Sequence, residues 1–110
     1  MAGPFLCRTG AVRLPLYDGE LEAADGVPAS GQKLAAQIAE ADAVVISTPE
    51  YNRGISGVLK NALDWVSRVE GSAWAGKPVA LMSSAAGRAG GERGLVMLHS
   101  CMTPFAPKIV

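Results

Sequence analysis

The chain is 110 residues long, which bounds it at one domain. Hydrophobic residues make up 49% and charged residues 18%, too apolar for a disordered segment and enough for a modest core. Ten basic residues balance ten acidic ones, which argues against nucleic-acid binding, where affinity comes mainly from excess Lys and Arg.

The charge is unevenly placed. Through Ser47 the net charge is −3, and from Thr48 onward it is +3. A positive half favours anionic ligands or is simply solvated surface. The two cysteines, Cys7 and Cys101, are far apart, and His99 is the one histidine. No CxxC or HxxxH cluster exists, so no metal site is expected; the cysteine pair could form one disulfide, and reads first as two reduced thiols. No apolar run approaches the roughly 18 residues of a membrane span, and MAGPFLCRTGAVRLPL lacks a signal-peptide layout. A soluble, cytoplasmic protein is expected, forming a single domain over residues 1–110 with residues 1–13 atypical.

Residues 1–13 show no convincing period. LPLYDGELEAAD, from Leu14 to Asp25, reads as a loop, because Pro15, Gly19 and the acidic cluster give no continuous apolar face. Pro28, Ser30 and Gly31 then precede KLAAQIAEAD, where Leu34 and Ile38 are four apart and form a small helical stripe. Ala43–Ser47 is a short β-branched run, apolar on both sides. Such a run predicts a strand covered on both faces, as in a parallel sheet flanked by helices.

Thr48–Ser56 is a loop containing Pro49 and Gly54. Gly57–Arg68 is a predicted helix with Val58, Leu59, Ala62, Leu63 and Val66 on one stripe and Ser56 as its cap. Gly71 and Gly76 mark a second loop. Pro78–Ser83 is a second buried-strand candidate. The glycine-rich Ser84–Gly91 leads into a helix from about Glu92 to Met102, ended by Pro104 and Pro107. Lys108–Val110 starts a further strand.

Strands alternating with helices predict an α/β fold with an open parallel sheet. Ligands in such sheets sit beyond the carboxyl ends of the strands, where the loops Thr48–Ser56 and Ser84–Gly91 fall.

The stretch ADAVVISTPEYNRGISGVLKNALDWVSR, from Ala41 to Arg68, resembles the signature region of the NADPH-dependent FMN reductase family. The resemblance runs on through GSAWAGKPVA into the glycine-rich loop, and LPLYD is similar to the family's loop after its second strand. It implies a flavodoxin-like fold, the cofactors FMN and NADPH, and reduction of a small-molecule acceptor such as a quinone, azo compound or free flavin. It also implies a homodimer or homotetramer.

An isoalloxazine ring needs a flat slot, aromatic or apolar packing, and hydrogen-bond donors along its polar edge. By resemblance, Pro49, Glu50, Tyr51 and Asn52 form one wall of that slot, and Gly54 allows close backbone approach. On residues alone the same segment also reads as a proline-initiated turn. Ser84, Gly87 and Arg88 are carried over as neighbours of the ring's pyrimidine end. Their loop equally suits a phosphate cradle or a flexible connection, but its spacing fits neither GxGxxG nor a P-loop.

Trp65 and Trp74 are read as core or subunit-interface residues, and Lys60, Asn61 and Asp64 as a solvated or interface face. His99 is read as a partly buried structural residue. No general acid, base or nucleophile is required, since the flavin carries the electrons.

The family's G-S-x-R-x-x-S phosphate loop is not matched by MAGPFLCRTGA at Met1–Ala11, and the fold is expected to be incomplete at both ends. One edge of the Ala43–Ser47 strand should then be open. The alternative function is a non-catalytic remnant with weak or no FMN binding; a one-electron carrier is a third reading.

Overall fold

The computed structural model describes residues 12–110. Four helices, α1 (Gly19–Asp25), α2 (Ala29–Glu40), α3 (Gly57–Val66) and α4 (Glu92–Met102), accompany three strands, β1 (Val44–Pro49), β2 (Pro78–Ser84) and β3 (Lys108–Ile109). The strands form one parallel sheet in the order β1-β2-β3. The α/β class and open parallel sheet expected from the sequence are therefore what the chain adopts.

The register sets Val44 opposite Val79, Ile46 opposite Leu81, and Thr48 opposite Ser83. Side chains alternate across a strand, so these six share one face. That face carries the core. Ile46 and Val79 pack with Leu34, Ala35 and Ile38 of α2, with Leu59, Ala62, Leu63 and Val66 of α3, and with Leu98 and Met102 of α4. Both helical stripes read from the sequence thus point inward. Val58, placed on the α3 stripe, does not: it is exposed.

The opposite face departs from expectation. Val45 is 65% exposed, Met82 55% and Val110 75%. Among the described residues the helices cover one face of the sheet, so the apolar run at Ala43–Ser47 is buried on one side only. β1 also pairs with β2 alone among the described residues. The readings of Met1–Ala11 and of Cys7 fall outside the described residues.

The segment after Leu14 is a further correction. Gly19–Asp25 is helical rather than loop. Asp18 caps it by accepting a hydrogen bond from the Glu20 N–H at 2.9 Å, and Glu20 and Glu22 complement the positive end of its dipole. The helix buries no residue, so it left no apolar stripe to read.

The segment that leads into it is anchored on α3. Trp65 is fully buried, and its Nε1–H donates to the Pro15 carbonyl at 2.7 Å. Asn61 donates to the same carbonyl and accepts from the Tyr17 N–H at 2.8 Å. The Tyr17 ring meets Trp65 edge-on, with centroids 4.9 Å apart. Asn61 is therefore an internal clamp for the LPLYD segment. Trp65 and Trp74 both fall in the core of the chain itself.

Tyr17 also donates from its hydroxyl to Glu22 at 2.6 Å, and Arg68 pairs with Glu22 at 2.8 Å. The Arg68 guanidinium, aided by the Tyr17 hydroxyl, holds the Glu22 carboxyl below the usual range. The same hydrogen bond pushes the Tyr17 hydroxyl up.

Lys77 stabilises α2 from another element. Its ammonium donates to the carbonyls of Ala39 and Ala41, where the helix ends and its dipole is negative.

Candidate functional site

The carboxyl ends of β1 and β2 lie side by side. Pro49 is in register with Ser84, and the Glu50 N–H donates to the Ser84 carbonyl at 3.1 Å. The two loops singled out from the sequence thus diverge from one point.

The first loop is closed at its base and tightly turned at its tip. Thr48 is buried; its hydroxyl donates to the Pro49 carbonyl and accepts from the Ser56 N–H. Ser56 in turn caps α3 by accepting from the Leu59 N–H at 3.2 Å. At the tip, Tyr51 and Gly54 exchange two backbone hydrogen bonds, each 2.9 Å. Asn52 and Arg53 between them have φ of 51° and 65°. This is the positive-φ pair of a type I′ turn, which Asn accepts readily and Arg does not. The Tyr51 ring stands 59% exposed beside it.

Gly54 has a packing reason for being glycine. A Cβ there would lie 2.6 Å from the Met97 sulfur. That sulfur accepts a hydrogen bond from the Ile55 N–H at 3.3 Å, so α4 grips the loop.

Glu50 does not turn its side chain outward. Its carboxylate accepts the Gly94 N–H at 2.8 Å, in the first turn of α4. Gly91, the residue capping α4, supplies no side-chain hydrogen bond. Gly91 also presses on the tip of β2: with φ of 95°, a Cβ there would lie 2.7 Å from the Ser84 nitrogen. Gly94 is equally confined, its absent Cβ lying 2.7 Å from the Ser83 hydroxyl oxygen and 3.2 Å from the Glu50 Cβ.

The structure therefore brings Pro49, Glu50 and Ser84 together at the strand tips, with Tyr51, Asn52 and Gly54 on the adjoining turn. Gly87 and Arg88 lie farther along the second loop, exposed. Gly90 donates back to the Gly87 carbonyl at 3.1 Å, which curls the loop ahead of α4. Among the described residues the N–H groups of residues 85–89 have no backbone acceptor, which leaves them available as donors. An exposed aromatic residue on one loop and main-chain donors on the other form a set that suits a flat heterocycle with a polar edge. Gly91, Gly94 and Met97 were not singled out from the sequence, although a glycine inside a helical pattern was a signal of close packing. His99 is exposed on α4 rather than partly buried. Among the described residues no group of three or more His, Cys, Asp or Glu could hold a metal ion. Nor is any described helix long and apolar enough to cross a membrane.

The sequence and the fold are both shared with known proteins. The family model for NADPH-dependent FMN reductase matches residues 6–107. A quinone reductase of Escherichia coli (strain K12) is 50% identical over 80 residues, which cover 73% of this chain and 43% of the relative. An NAD(P)H-dependent FMN reductase of Pseudomonas aeruginosa is 44% identical over 89 residues, covering 81% of this chain and 48% of the relative. Among solved structures, the flavoenzyme FerB, an NAD(P)H:(acceptor) oxidoreductase from Paracoccus denitrificans, superposes with a TM-score of 0.77 at 35% identity. The match covers 88% of this chain and 53% of that one. The chain thus spans less than half the length of these curated relatives. With its strand-tip loops and signature helix, the chain belongs to the NADPH-dependent FMN reductase family.

Proposed function

We propose that the chain is one flavodoxin-like unit that binds FMN between its two strand-tip loops and takes part in NAD(P)H-dependent reduction of a small acceptor. Quinones, azo compounds and free flavin are the acceptor classes. The observation that carries the reading is that the loop bearing the exposed Tyr51 and the loop whose 85–89 N–H groups lack a backbone acceptor among the described residues leave the sheet side by side, at Pro49 and Ser84. When bound, FMN supplies the electron transfer between NAD(P)H and the acceptor.

The chain's own residues bind and orient. Pro49 and Tyr51 supply apolar surface on one side. Asn52 offers an amide at the turn tip, and Gly54 keeps the loop tight against α4. Ser84, Gly87 and Arg88 serve the ring's polar edge, Arg88 by its positive charge. No residue is asked to act as acid or base. We further infer a homodimer or homotetramer, because Val45, Met82 and Val96 leave apolar surface exposed.

The test is a titration of FMN with the purified chain. Quenched flavin fluorescence and bleaching of the visible band on adding NADPH are expected. Unchanged fluorescence at large protein excess would favour the competing reading, a folded remnant without FMN. Asn52→Asp places a negative charge at the turn and should weaken binding of reduced flavin more than oxidised. Equal effects on both would remove Asn52 from the ring's edge.

A further inference from the structure

Glu50 stands in the segment assigned to the flavin wall, yet its carboxylate is committed elsewhere. It accepts the Gly94 N–H at 2.8 Å, within the first turn of α4. The first N–H groups of a helix lack partners inside it, and Gly91 has no side chain to offer them. A carboxylate from another element fills that role, favoured by the helix dipole.

Three further contacts make this a docking point. The Glu50 N–H binds the Ser84 carbonyl, so the residue grips β2 with its backbone and α4 with its side chain. Gly94 fits only because it lacks a Cβ, which would collide with the Ser83 hydroxyl oxygen at 2.7 Å and crowd Glu50. Three residues later on the same helical face, Met97 receives the Ile55 N–H and fills the space beside Gly54. α4 therefore holds the 49–54 loop at both ends, while its own N-terminus carries the 84–91 loop.

We propose that Glu50 is a positioning residue: it clamps the first turn of α4 and thereby fixes the spacing of the two strand-tip loops. The inference rests on the flavin reading for its functional meaning, and it assigns Glu50 a task other than contact with the ring. Losing the clamp loosens the 84–91 loop, and the donors on that loop no longer converge with the Tyr51 turn.

The experiment compares the intact chain with Glu50→Ala and Glu50→Gln, using Val66→Ala in the core as a matched destabilised control. Amide hydrogen exchange is measured without flavin, and FMN affinity is measured by fluorescence quenching. A hydrogen bond to a charged group sets the scale. Glu50→Ala should speed Gly94 exchange about ten- to hundredfold and weaken FMN binding about tenfold. Glu50→Gln keeps an acceptor but no charge and should show an effect of roughly two- to fivefold, which carries the test if Glu50→Ala does not fold. Val66→Ala should leave FMN affinity within about twofold.

Unchanged Gly94 exchange in the Glu50 variants would overturn the clamp. Faster exchange with unaltered FMN affinity would overturn its role in the slot, as would an equal loss of affinity in Val66→Ala. An intact chain that fails to quench FMN is a different result: it sinks the flavin reading, while Gly94 exchange still decides whether the clamp exists.

Discussion

Gly94→Ala sets helix propensity against packing. Gly94 lies inside α4, where replacing glycine by alanine ordinarily gains about 1 kcal/mol. The structure reverses the sign. The new Cβ would sit 2.7 Å from the Ser83 oxygen and 3.2 and 3.3 Å from two Glu50 carbons. Overpacking of this kind costs about 1–3 kcal/mol. Displacing Glu50 also puts at risk a charge-assisted hydrogen bond that contributes about 1.5–3 kcal/mol. Against the propensity gain, and with the Glu50 hydrogen bond lost, a net loss of about 1.5–5 kcal/mol follows. In a chain of this length each kcal/mol lowers the melting temperature by about 4 °C, so a drop of roughly 6–20 °C is expected. Gly57→Ala is the reference, since nothing lies within 4 Å of its Cβ at the start of α3. It should be neutral or slightly stabilising. Calorimetry or circular dichroism measures both. A Gly94→Ala chain at least as stable as the original would refute the packing of α4 on the strand tips.

Arg53→Gly should raise the melting temperature by about 2–4 °C. Relief of a left-handed conformation, about 1–2 kcal/mol, exceeds the roughly 0.5–1 kcal/mol entropic cost of glycine. An unchanged or lower value would refute the turn. Trp65→Phe removes the Nε1–H donor to Pro15 and should cost about 1–2 kcal/mol in urea denaturation. The Pro15 carbonyl keeps Asn61 as a donor, and a larger loss would point to a wider role for the indole. The Tyr17–Glu22–Arg68 group gives stability a pH dependence at both ends. The Glu22 carboxyl is held down by Arg68, so its contribution is present above about pH 4.3 and lost as pH falls through its lowered value. The Tyr17 hydroxyl is pushed up, chiefly by its bond to Glu22. Its contribution is present below about pH 10 and lost as pH rises through the raised value. Urea midpoints of the chain and Glu22→Gln should therefore converge in acid; a constant gap across pH would refute the assignment.

The elements that the sequence announced share one property: they bury a stripe. Leu34 and Ile38, Leu59 to Val66, and Val79 all report their surroundings through local period. The helix at Gly19–Asp25 escaped because it buries nothing and is held by a cap and by Arg68, which follows α3. Its Asp18 with acidic residues following was a readable start signal. The loops of the site were legible as positions at strand ends. The direction of the Glu50 side chain was not, since it depends on where α4 docks, some forty residues later. Val45 misled because an apolar side chain states what it prefers, not what a neighbour provides.

The exposed sheet surface at Val45, Met82 and Val110 has a calorimetric consequence. Hydrocarbon already wetted in the native state adds nothing new to water on melting. The heat-capacity increment should then fall short of the usual 12–15 cal/mol/K per residue. The shortfall is on the order of a tenth, so the curve of stability against temperature is slightly flatter than for a sheet covered on both faces.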